Sequence, residues 1–260
     1  MQGWVPRVLF SLGISALLAV FPPACRRERT SPCGKPLSSL PASRAGEASP
    51  LPLFLLPEPA GSVRIRLDLR AGNAFPGLPV SWDALEADYF FARQGGRQWI
   101  LEKGAPLDLS SGPVMAALLT RPVTVPGVSG EVIYCAKTIS APVPRTPENR
   151  SDMSGFAGAK AGFPLEIVPL ADPAALGPGD DFPFRVIFRG DSLSGARVRI
   201  RGEGEAAGDP IPAETDGEGA ARFRITGTGR WIVTVSCSRR EGGRLLTWAA
   251  SLVFTCEGRG

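Results

Sequence analysis

The chain has no histidine among its 260 residues. That absence excludes a Ser-His-Asp or Cys-His catalytic pair, a His-ligated zinc site and an imidazole pH switch, the commonest routes to acid–base and metal chemistry near neutral pH. Lysine is scarce as well, with only Lys35, Lys103, Lys137 and Lys160, so arginine supplies the rest of the 29 basic side chains. No two of the five cysteines have Cys-x-x-Cys spacing, which argues against a zinc knuckle or a redox pair. The reading is a protein that binds or scaffolds rather than catalyses, with no cofactor and no metal.

A net charge of +4 comes from 29 basic against 25 acidic residues, interspersed without any run of five like charges. A recognition helix and an aromatic-studded basic strand are both missing, so nucleic acid is not an expected partner. What the chain does have is 31 Gly, 26 Pro and 43% hydrophobic residues, enough apolar surface for ordinary cores and a length suited to about two domains.

The amino terminus reads as an export address over residues 1–25. Arg7 precedes an apolar run at residues 8–20, whose thirteen residues match a signal segment and fall short of a bilayer span. Pro22 and Pro23 stop a helix, and Cys25 after Ala24 resembles the lipidated cysteine of bacterial lipoproteins, although the prolines depart from that motif. Lipid attachment at Cys25, simple cleavage and a retained anchor stay open. Each places the remainder in the periplasm or cell envelope. Residues 26–50 are rich in Arg, Ser, Pro, Gly and Ala, cannot bury enough surface to offset ordering entropy, and are expected to form a flexible tether.

The rest reads as strands. Residues 62–70 alternate, with Val63, Ile65, Leu67 and Leu69 on one face and Arg64, Arg66, Asp68 and Arg70 on the other. Residues 87–94 and 97–102 flank Gly95-Gly96, a hairpin signal. Residues 113–119 and 131–139 are further candidates, the former equally compatible with a helical turn. Residues 141–162 carry Pro142, Pro144 and Pro147 and read as a linker. Beyond it, apolar runs at 165–170, 184–188, 196–200, 221–225, 231–237 and 245–254 are separated by Gly, Asp and Pro clusters at sandwich-like spacing. The expected architecture is all-β: two β-sandwich domains, at 51–140 and 163–257, of the immunoglobulin-like or carboxypeptidase-regulatory-like kind.

Leu165-Glu166-Ile167-Val168-Pro169, Pro178-Gly179-Asp180, Thr215-Asp216-Gly217-Glu218-Gly219, Gly229-Arg230-Trp231 and Thr247-Trp248-Ala249 follow one another in an order and spacing that carry a resemblance. They are similar to the carboxy-terminal half of an uncharacterised family of secreted bacterial proteins, distantly related to periplasmic parts of nickel and cobalt uptake systems. Leu53-Phe54-Leu55-Leu56-Pro57 resembles that family's opening strand. The resemblance implies a histidine before the opening strand, where Leu51 and Pro52 stand here, and often another where Cys237 stands. It therefore implies a scaffold on which metal binding has been lost, since imidazole is a favoured nickel and cobalt ligand.

If Cys25 carries lipid, Cys33, Cys135, Cys237 and Cys256 remain, with three possible disulfide connectivities or buried free thiols. A turn at Gly242-Gly243 places Cys237 opposite about Trp248 rather than Cys256. Besides Cys237, the weak ligand candidates are Glu203, Glu205, Asp216 and Glu218, hard oxygen donors or an acid pair if they converge, and solvated turn residues if they do not. Trp82, Trp99, Trp231 and Trp248 offer a carbohydrate-binding face as the alternative function, with Trp231 and Trp248 expected in the core. The expected partner is an envelope protein or small ligand, with the membrane reached through the anchor.

Overall fold

The computed structural model describes residues 50–61, 63–73, 75–141, 156–203 and 210–256. The leader and tether, with Cys25 and Cys33, lie outside the described residues, as do Glu205 and most of the expected linker. The described chain is all-β, with short 3-10 turns at Trp82–Ala84 and Pro173–Ala175 and no α-helix. Its first half holds β1 (Leu53–Pro59), β2 (Arg64–Ala71), β3 (Leu78–Pro79), β4 (Ala87–Gln94), β5 (Arg97–Ile100), β6 (Leu107–Asp108), β7 (Val114–Thr120), β8 (Val123–Thr124) and β9 (Glu131–Ser140). The second half holds β10 (Leu165–Pro169), β11 (Asp181–Phe188), β12 (Asp191–Ser192), β13 (Arg197–Gly202), β14 (Ile211–Glu214), β15 (Ala220–Arg224), β16 (Gly229–Glu241) and β17 (Arg244–Cys256).

A nine-stranded sheet runs β14-β13-β16-β17-β9-β7-β4-β5, with β8 beside β9. Two four-stranded sheets, β1-β2-β3 with β6 and β10-β11-β12 with β15, pack on its opposite faces. Strand β7 shows why three layers form. Met115, Ala117 and Leu119 enter the core shared with β10 and β11, whereas Val114, Ala116 and Leu118 enter the core shared with β1 and β2. A strand buried on both faces loses the apolar–polar alternation, so residues 113–119 read ambiguously as sequence but form a strand. Elsewhere alternation survives: Leu67 and Leu69 of β2 point inward, and Val63 lies before the strand and is exposed.

The expected hairpins form. Gly95 and Gly96, with φ of 53° and 78°, take the left-handed turn that joins β4 to β5. Gly242 and Gly243 join β16 to β17, and the resulting register sets Cys237 opposite Trp248, as the turn position predicts. The two segments expected as separate sandwiches meet in one sheet, however. Strand β9, before the linker, pairs in parallel with β17, after it, from Glu131 with Leu246 to Ile139 with Phe254. That pairing satisfies two long edges that would otherwise present unpaired backbone groups.

Trp231 and Trp248 are buried, so both belong to the core as expected. Trp231 donates its indole N–H to Gly227 O at 3.2 Å, and Phe188 meets Trp248 edge-on with centroids 5.1 Å apart. A buried polar contact fixes the turn before β13. The Thr215 hydroxyl accepts from Ala196 N at 2.8 Å and donates to Leu193 O at 2.6 Å. Thr215→Val leaves both backbone groups without a partner, and a loss of about 1–3 kcal/mol is expected in urea unfolding; an unchanged midpoint and slope would exclude this role.

Candidate functional site

The acidic candidates from the sequence are held by separate local partners. Glu203 follows β13, and its carboxylate accepts from Arg230 N at 3.1 Å, Nε at 2.9 Å and Nη2 at 2.5 Å. Arg230 also donates through Nη1 to Glu58 Oε1 at 2.9 Å and Pro57 O at 3.1 Å, tying β1 to β16. Its guanidinium hydrogen bonds hold the Glu203 carboxyl below its usual range, while Glu203 raises the already high Arg230 value. A lowered native carboxyl contributes stability above its ordinary pKa and loses it as pH falls through the native one. Arg230→Met is expected to cost about 2 kcal/mol, from lost charge-assisted bonds, and to flatten this acid-side decline; equal acid titration of stability in both chains would count against it.

Asp216 closes the turn between β14 and β15, its Oδ1 accepting from Glu218 N and Ala220 N, each at 2.9 Å. Glu218 is exposed on that turn. These two are turn residues, and no group of three His, Cys, Asp or Glu side chains suited to a metal occurs among the described residues. Cys135, Cys237 and Cys256 form no disulfide with one another, and Cys256 Sγ donates to Leu176 O at 3.2 Å. Burial pushes the Cys135 thiol up to about 12 and raises that of Cys237, although Arg239 and Arg189 near Cys237 act the other way.

Sequence reading missed a buried ion pair. Lys137 of β9 and Glu166 of β10 are 2% and 5% exposed, and Lys137 Nζ donates to Glu166 Oε1 at 2.8 Å and to Ala159 O at 3.0 Å. Glu166 also accepts from Ala161 N at 2.5 Å and Gly162 N at 3.0 Å, which anchors the segment leading into β10. Full burial disfavours the ammonium and lowers its pKa despite Glu166. The signal was a charged residue inside each of two mostly apolar runs, at 132–139 and 165–169. Next to Glu166 lies a shallow recess bounded by Lys160, Phe163 and Arg189. Arg189 is engaged there, paired with Glu241 at 2.6 Å and lying over Phe188 and Trp248.

A second concavity, of about 280 Å³, opens where the β1-β2-β3 layer ends over β13 and β16. Pro52, Phe54, Gly72 and Asn73 form one side, Arg199, Arg201, Ile232 and Thr234 the floor, and Pro210 the far rim. Strand alternation builds it: Val198 and Ile200 are buried in the core, so Arg199 and Arg201 point to the other face. The lining carries two guanidinium groups and, among the described residues, no carboxylate.

A family model described as "Domain of unknown function (DUF4198)" matches residues 56–239. The chain belongs to this family. The DUF4198 match runs from β1 into β16, so it includes the buried Lys137–Glu166 pair, the Arg230 network and the cationic floor of the cleft. It extends into both segments joined by the nine-stranded sheet and ends before β17. The uncharacterised family read from the sequence motifs is thus borne out at the level of a domain of unknown function. No curated protein matches the DUF4198 chain.

Proposed function

We propose that this protein is a non-catalytic binding or scaffold module of the bacterial envelope, exported by its amino-terminal segment and held at the membrane through Cys25. The observation that carries the reading is how its reactive groups are used. Glu203, Glu166 and Asp216 are each bonded into turns or strand junctions, and the cleft over β13 offers binding groups without an adjacent acid–base pair. In this reading the protein is related to metal-uptake proteins but binds no metal. Leu51 is exposed, Pro52 lines the cleft and Cys237 is a half-buried thiol, a poor set for nickel or cobalt.

Mass spectrometry of the membrane fraction tests the anchor, and a mature chain with unmodified Cys25 removes it. Calorimetry with nickel tests the loss of metal binding, which stoichiometric micromolar binding would overturn. Turnover of glycosides, abolished by Glu203→Gln, would refute the non-catalytic reading.

The alternative, a carbohydrate-binding or surface-structural module, draws on Tyr89 and Trp99, exposed on the β4–β5 hairpin. Their register places them on opposite faces of the sheet, which supplies two isolated rings rather than one platform. Silence on an array of envelope and plant polysaccharides sinks that alternative.

A further inference from the structure

We propose that β5 is a self-association edge, along which two copies of this chain pair antiparallel about a two-fold axis through Trp99. This pairing is independent of the cleft over β13 and of acylation at Cys25.

The two ends of the nine-stranded sheet differ. At one end β14 carries Pro212, a residue that blunts an edge by removing an amide donor. At the other end β5 is Arg97-Gln98-Trp99-Ile100, exposed throughout and free of proline. Its main chain is half used. Leu101 N donates to Phe90 O at 2.9 Å, and alternate residues of an antiparallel pair turn their bonding groups the same way, so Arg97 and Trp99 also bond β4. Gln98 and Ile100 turn theirs outward, where no described backbone group meets them.

Symmetry then selects the register. A two-fold axis normal to the sheet keeps each face on its own side, so residues that meet across it are both odd or both even in number. Centring on Gln98 would set Ile100 against Gly96, which has φ of 78° in the hairpin turn. Centring on Ile100 would set Gln98 against Glu102, whose carbonyl already accepts from Ala105 N at 3.2 Å. Centring on Trp99 sets Gln98 of each copy against Ile100 of the other. The outward N–H and C=O groups of both residues are then all paired, by two hydrogen bonds at each of the two Gln98–Ile100 positions.

The side chains agree with this register. Trp99, 37% exposed, meets its symmetry mate at a position without hydrogen bonds, where opposed Cβ atoms come closest, about 4.5–5.5 Å apart. Arg97 lies diagonal to the other copy's Trp99 on the same face, a placement suited to a cation–π contact. On the opposite face Ile100, at 86%, is the most exposed of the described large hydrophobic side chains. The Gln98 stem of the second copy covers it, and that Gln98 is already held by Arg93 Nη2 at 2.7 Å. The contact is small beside the ~1,200–2,000 Å² of a standard interface, so the dimer is expected to be weak and readily reversible.

Sedimentation equilibrium of the full chain in a neutral detergent tests the pairing, and a concentration-dependent monomer–dimer equilibrium is expected. Ile100→Pro removes one outward N–H from each copy, hence half of the intermolecular hydrogen bonds, and should raise the dissociation constant about tenfold or more. Ile100→Lys sets two ammonium groups diagonally across the axis and should do the same, at the melting temperature of the unaltered chain. Leu78→Lys, at an exposed apolar residue outside this sheet, should leave dimerisation unchanged. Cross-linking tests the register. Mild oxidation of Trp99→Cys is expected to join two copies well beyond the level of the unaltered chain. Arg97→Cys should not, because the register separates that position from its mate by about 14 Å along the strand. A monomer at every concentration overturns the proposal, even where another protein's strand is found on this edge. A dimer that both Ile100 variants leave intact, or that Trp99→Cys fails to link, or that Arg97→Cys links equally, overturns it too.

Discussion

Lys137→Met is expected to lower unfolding free energy by about 3–5 kcal/mol, a large share of the ~5–15 kcal/mol typical of a folded domain. The substitution removes the ammonium but leaves the Glu166 carboxylate buried, with Ala161 N and Gly162 N as its remaining donors among the described residues. Glu166→Leu strands the opposite charge and is expected to cost a similar amount. The double substitution leaves neither charge and should cost far less than the sum of the two. What it still loses is the bonding of the Ala161 and Gly162 amides, about 1–3 kcal/mol for each unsatisfied group. Urea unfolding of the four chains measures the coupling, and additive losses would show that the pair does not act as a unit.

The same pair has a pH signature. Because burial lowers the Lys137 pKa in the native state, the unfolded chain binds more protons between that value and the usual 10.5. Stability contributed through Lys137 therefore rises with pH across that window. Tyr134 and Cys135 work the other way, since burial raises both. Subtracting the Lys137→Met profile from that of the unaltered chain isolates the lysine, and the difference should grow on the alkaline side below 10.5. A flat difference would mean that the ammonium is not penalised by its burial.

Local order was legible where chemistry was local. The hairpins at Gly95-Gly96 and Gly242-Gly243 need only two residues that tolerate positive φ between alternating strands, and the second correctly set Cys237 against Trp248. Short strands such as Leu78–Pro79 and Asp191–Ser192 carry no period at all, since two residues cannot alternate, and they exist because β2 and β11 offer them an edge. Strand β14 carries Pro212, tolerated because it lies at the end of its sheet. The site was harder to see. Alternation puts Arg197, Arg199 and Arg201 on one face, but only the layer above them makes a cleft, and its walls at Pro52 and Gly72 come from more than 120 residues upstream of β13. Charge buried in an apolar strand was the readable clue to Lys137 and Glu166; their partnership across the linker was not.

Residues 50–141, produced alone, are expected to aggregate without a cooperative melting transition. This follows from the sheet they would leave unfinished. Within the whole chain β9 has β7 on one side and β17 on the other, the latter from Glu131 to Ile139. Cutting after residue 141 removes β17 and exposes that edge, a template for pairing with other chains. It also removes β10 and β11, which cover Met115, Ala117, Leu119, Cys135 and Ile139. Those side chains would form one exposed apolar surface, with Lys137 deprived of Glu166 in its midst. The core beneath β1 and β2 draws almost entirely on residues of this fragment, so its retention is the opposing force. The opposing force is expected to lose, because half of a central strand such as β7 would still face water where it now faces Phe163 and Leu165. Size-exclusion chromatography with calorimetry decides it: a monodisperse monomer with a sharp transition would establish residues 50–141 as an independent domain. Adding residues 156–256 in trans is expected to restore solubility and the transition, since that fragment supplies both the missing strand edge and the missing layer.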